Sequence, residues 1–135
     1  MTATVTFSPI IPTLAGVALT YTPCGATGDI VPISNTGMTL VLIQNSDTGN
    51  HTVTFTSQPD QWGASGACVN QAVTAVKVGT DPNGVVCGVW LKGRWGNPAT
   101  LVTTNTGAVE ETCLLTYDSA TTLSICVLHV PWASM

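Results

Sequence analysis

The sequence predicts an all-β domain: a two-sheet sandwich of jelly-roll or immunoglobulin-like type, preceded by an extended N-terminal arm. Three observations carry this expectation. First, 23 threonines and 16 valines dominate the chain, and a branched Cβ packs well on a pleated surface but loses rotamer freedom in a helix. Second, Gly, Pro, Asn or Asp recurs every ~8–12 residues, the spacing of short strands joined by tight turns. Third, 135 residues suit a single domain, and no linker interrupts them. Residues 1–14 are read as the arm and residues 15–135 as one sandwich domain.

The arm begins with an alternating run through Thr4, Val5, Thr6 and Phe7, after which Pro9 and Pro12 remove backbone donors and disfavour helix. Such a segment can add to a sheet edge, and it is expected to pair with a neighbour. Residues 17–21 read as the first core strand, ended by Pro23, Gly25 and Gly28. Residues 38–44 are apolar on both faces, as in a central strand, whereas residues 51–56 alternate with Val53 and Phe55 inward. With residues 45–50 as the turn, these two runs are expected to form a β-hairpin. Further strands are expected at residues 72–78 and 85–91, joined through the Asn83-Gly84 step suited to a tight turn. Residues 100–104, 113–117 and 123–130 complete a set large enough for two packed sheets. Residues 57–67 and 92–98 are Gly-rich loops carrying Trp62 and Trp95.

Charge is the unusual feature. Asp, Glu, Lys and Arg make up 7% of the chain, against ~25% in ordinary soluble domains. With a net charge of -4 and only three basic residues, the chain lacks the phosphate-neutralising patch that nucleic-acid binding requires. A surface so poor in charge resists association weakly and costs little to desolvate, which points to assembly with other proteins. No apolar run is long enough to span a membrane, and the start lacks the basic and apolar regions of a signal peptide, so synthesis in a reducing cytoplasm is expected. The five cysteines, Cys24, Cys68, Cys87, Cys113 and Cys126, show no C-x-x-C pairing, and most sit in apolar runs. They read as buried structural thiols, with a Cys113 to Cys126 disulfide as the alternative.

Catalytic readings fail on the same residues. His51 and His129 lie on strands without a neighbouring acid or nucleophile in a known motif, so each reads as a strand residue with a satisfied hydrogen bond. Gly63-Ala64-Ser65-Gly66-Ala67 has the wrong glycine spacing for a nucleophile elbow. Glu110 and Glu111 are adjacent, point to opposite faces of an extended chain, and read as a solvated turn. No enzyme, cofactor or metal is therefore expected. Trp62 and Trp95, with Asp60 and Asn97 nearby, leave two readings: rings that stack on a sugar, or rings that anchor a protein interface. The interface reading is favoured.

The segment Gly37-Met38-Thr39-Leu40-Val41-Leu42-Ile43-Gln44-Asn45-Ser46-Asp47 followed by His51-Thr52-Val53-Thr54-Phe55 is similar to small tailed-phage head proteins. The ending Leu114-Leu115-Thr116-Tyr117, Ser119, then Leu123-Ser124-Ile125-Cys126-Val127-Leu128 shares that likeness. The family it resembles is the capsid decoration, or cement, proteins. That resemblance implies a β-sandwich on the outer surface of the virion, assembled as a homotrimer, which clamps neighbouring major capsid protein subunits. On this reading the arm residues Phe7, Ile10, Ile11 and Leu14 pair with a neighbour, while Trp62, Arg94, Trp95 and Trp132 fill pockets of the shell or of a sister copy. A carbohydrate-binding, lectin-like module is the alternative.

Overall fold

The computed structural model describes residues 4–47, 49, 51–56, 71–75, 84–90, 95–105 and 107–131. Nine strands among the described residues build two antiparallel sheets packed into a sandwich: β1 (Thr22–Pro23), β2 (Asp29–Ile33), β3 (Gly37–Asn45), β4 (His51–Phe55), β5 (Gln71–Ala75), β6 (Gly84–Trp90), β7 (Asn97–Thr103), β8 (Val109–Tyr117) and β9 (Leu123–Pro131). The four-stranded sheet runs β1-β9-β3-β6. The five-stranded sheet runs β2-β8-β4-β5, with β7 also paired to β8.

Strand β3 lies between β9 and β6 and is held along its length by β9, from Gly37 opposite Pro131 to Asn45 opposite Leu123. This central position explains a run that is apolar on both faces. Its burial alternates over nine residues, placing Val41 and Ile43 in the core with Ile125 and Val127 of β9. Val31 and Ile33 of β2, Val53 and Phe55 of β4, and Cys113 and Leu115 of β8 face them from the other sheet.

Between the sheets, Phe55 at the end of β4 stacks on Trp90 at the end of β6, with ring centroids 3.9 Å apart and planes 25° from parallel. Trp95 meets Trp90 edge-on at 6.5 Å. The Trp90 indole folds back over Gly88, two residues earlier on the same face, so that a Cβ at position 88 would collide with the ring. Gly88→Ala is therefore expected to cost about 1–3 kcal/mol by overpacking, measurable as a lowered denaturant midpoint with an unchanged m-value.

Four sequence expectations need correction. Strands β3 and β4 do not form a hairpin, because β3 belongs to the four-stranded sheet and β4 to the five-stranded one. Residues 17–21 form no strand, and residues 17–20 are exposed. The strand that follows is only Thr22–Pro23, paired with Ile125 and Ser124. Strand β2, with Pro32 inside it, was not expected; proline is tolerated there because β2 pairs with β8 on one side and carries no full strand on the other.

The fourth correction concerns the arm. Residues 5–10 pair with their own domain. The Phe7 amide donates to the Ile30 carbonyl at 3.0 Å and the Ile30 amide to the Val5 carbonyl at 2.9 Å, covering the outer edge of β2. Three residues later the Ile10 amide donates to the Val127 carbonyl at 2.8 Å and the His129 amide to the Ile10 carbonyl at 2.9 Å, covering the outer edge of β9. The arm thus passes from one sheet to the other and seals one side of the sandwich.

Candidate interaction surface

The structure separates the proposed interface residues into three groups. Phe7 is 3% exposed and Trp95 8% exposed, both within the hydrophobic core. Neither ring is available to a partner, because each fills space between the sheets. Ile10 is half-buried, with its backbone committed to β9. Ile11 and Leu14 are exposed, Leu14 completely so. Trp62, Arg94 and Trp132 lie outside the described residues.

The main exposed apolar feature is a segment that sequence reasoning placed in the core. All ten residues of 11–20 are exposed, and they carry Ile11, Leu14, Val17 and Leu19 without a single charge; the first charged residue of the chain is Asp29. The segment is tethered at both ends to the same edge of β9, by Ile10 beside Leu128 and by Thr22 beside Ile125. A turn closes within it, where the Gly16 amide donates to the Thr13 carbonyl at 2.9 Å and Gly16 adopts a φ of 87°, a left-handed conformation that glycine adopts without strain. Leu101, Val109 and Leu114 of the five-stranded sheet are also exposed. Nothing in the composition separates residues 11–20 from the core strands, since residues 30–46 are equally free of charge and hold β3 and all of β2 after Asp29.

Polar groups inside the sandwich are structural. Asp29 is fully buried and accepts three hydrogen bonds: from the Val5 amide at 2.8 Å, the Gly25 amide at 2.8 Å and the Tyr117 hydroxyl at 2.7 Å. Burial, followed by the proximity of Cys24 and Asp29, raises the Tyr117 phenol far above its ordinary pKa. Burial likewise pushes the Cys24 thiol up to about 12, against the opposing pull of its bond to Tyr117. Cys113 is pushed up to about 12 by burial, although its thiol donates to the Thr56 carbonyl at 3.4 Å. Cys24, Cys113 and Cys126 are free and buried, so the Cys113 to Cys126 disulfide does not form. These protonated thiols are poor nucleophiles and poor metal ligands.

Glu110 is also an inward residue, 5% exposed, and not part of a solvated turn. Its carboxylate accepts from the Asn35 amide at 2.9 Å. Opposite it, His129 of β9 donates from Nε2 to the Pro32 carbonyl at 2.8 Å, and its Nδ1 stands 3.8 Å from Glu110 Oε1. Burial lowers the His129 pKa, partly offset by the Pro32 bond. Its folded pKa therefore lies below the unfolded value of about 6.5. Between those two values the unfolded chain holds a proton that the folded chain refuses, so stability falls as pH drops through that window. Thermal melting from about pH 7.5 to about pH 5 is expected to decline less in His129→Gln, which retains a donor for Pro32, than in the parent chain.

Among the described residues, no group of three or more His, Cys, Asp or Glu side chains could hold a metal ion. Comparison with protein-family models, characterised proteins and solved structures finds no match to this chain.

Proposed function

We propose that this chain is a structural virion protein that binds the outside of a phage capsid and stabilises contacts between major capsid protein subunits, acting as a homotrimer. The observation that carries the reading is the segment 11–20: exposed throughout, apolar at Ile11, Leu14, Val17 and Leu19, free of charge, and anchored at both ends on β9. A monomer gains nothing from leaving four large apolar side chains in water, whereas a partner that covers them gains about 25 cal/mol per Å² of apolar surface. The low overall charge and the resemblance of the β3, β4, β8 and β9 sequences to decoration proteins supply the partner. The mechanism is mass action, in which a protein that binds only the assembled shell stabilises the shell. Burial of Trp95 in the core counts against the sugar-binding alternative, which needs that ring at the surface.

The test is to mix the purified protein with empty phage shells. The reading expects co-sedimentation and a raised shell melting temperature. A protein that stays in the supernatant and leaves shell melting unchanged would overturn it.

A further inference from the structure

Two connections that both cross between the sheets meet at one end of the sandwich. Residues 45–51 link β3 to β4, and residues 117–123 link β8 to β9. One part of their contact is made by neutral groups. The fully buried Asn45 donates to the Gly49 carbonyl at 2.9 Å and accepts from the Asp47 amide at 3.0 Å and the Thr122 hydroxyl at 3.2 Å. The Ser46 amide donates to the Thr122 carbonyl at 3.1 Å. None of these bonds depends on pH in the physiological range.

The other part is made by His51, the first residue of β4. Its Nε2 lies 2.7 Å from Asp47 Oδ2 and its Nδ1 lies 3.3 Å from Asp118 Oδ1. Nδ1 is buried and makes no hydrogen bond of good geometry. Both ring nitrogens thus face carboxylate oxygens, which only accept. A neutral imidazole has one N–H and must turn a lone pair toward one of the two carboxylates, whereas the imidazolium presents an N–H to each.

We propose that Asp47, His51 and Asp118 form a proton-operated fastener: the imidazolium ties the β3–β4 connection to the β8–β9 connection, and loss of its proton releases that tie while the Asn45 bonds hold. The inference is independent of the capsid reading. The hydrogen bond from Asp47 is the main influence raising the His51 pKa, with the Asp118 charge acting in the same direction and burial against it. Partial burial disfavours the Asp118 carboxylate, but hydrogen bonds at Thr52 and Ser119 and the charge of His51 bring its pKa below the ordinary range. The other elements against β4 at this end add no charge among the described residues: Ala75 of β5 is opposite His51, and Tyr117 of β8 is opposite Val53. The folded pKa of His51 is raised, so the stabilisation is fully present below about pH 6.5 and is lost as pH rises through the folded value. This is the opposite sign to His129.

The experiment is an NMR titration of the two histidine rings in the full chain, with amide protection measured over the same pH range at Asp118, whose amide donates to the Thr52 carbonyl beside His51 at 3.2 Å. His51 is expected to titrate above 6.5 and His129 below it. Asp47→Asn and Asp118→Asn are each expected to lower the His51 midpoint. Protection at Asp118 is expected to fall across that midpoint, by about tenfold for each unit by which it exceeds 6.5. His51→Gln, which cannot take a second proton, is expected to show the lower protection at every pH. A His51 midpoint at or below 6.5, or protection that does not follow it, would overturn the proposal.

Discussion

Trp90→Ala is expected to destabilise the domain by about 3–5 kcal/mol, the cost of emptying a core indole site, and to lower Tm by roughly 10–20 °C. The effect is large because one ring performs three tasks. It stacks on Phe55 across the sandwich, supports Trp95 from the side, and covers the backbone at Gly88. Alanine would leave both aromatic neighbours facing a void that neither sheet can close without moving. Thermal unfolding followed by near-ultraviolet circular dichroism reads the outcome, and a Tm within two or three degrees of the parent would show that the stack carries little of the stability.

Asp29→Ala is expected to be of similar severity, about 3–5 kcal/mol, from stranding buried donors that each cost about 1–3 kcal/mol when unpaired. The Val5 amide, the Gly25 amide and the Tyr117 hydroxyl would all lose their acceptor in a site that water does not reach. Because Val5 belongs to the arm, the loss should spread. Amide protection at Phe7 and Ile30, which reports the arm's pairing with β2, is expected to fall further than protection on β3. Uniform loss across both strands would instead mean that Asp29 acts on the whole domain and not on the arm.

These particulars show which features of the fold can be read from residues. Strand β3 is legible because its burial alternates with the period of a pleated chain, while β9 and the second half of β8 are legible from their apolar and branched residues. Their pairing is not, since a period of two says which residues face inward but not which sheet the next strand joins. The β3–β4 connection looks like a hairpin turn for that reason, and its buried Asn45, which organises a crossing between sheets, has no mark in the sequence. Strand β2 was hidden by Pro32, whose presence excludes a central strand but permits an edge. Residues 17–21 fail in the opposite direction: alternating Val17, Leu19 and Tyr21 satisfy the strand pattern, yet the edge of β9 beside them is taken by Ile10 and β1. Trp95 carries a similar lesson. A Gly-rich surrounding suggests a surface loop, while the space between Trp90 and the sheet rim admits the ring into the core.

The correction to the arm also decides how its role is tested. Deleting residues 1–14 would remove Phe7 from the core and uncover the edges of β2 and β9, so lost binding would report unfolding. Residues 11–20 can be changed without touching any buried side chain. The most direct measurement is therefore co-sedimentation with empty shells of a variant in which Ile11, Leu14, Val17 and Leu19 are replaced by serine, beside the parent chain and with Tm recorded for both. The account predicts an unchanged Tm and a loss of shell binding of at least tenfold, whereas a variant that binds as tightly as the parent would contradict the assignment of this segment as the adhesive surface.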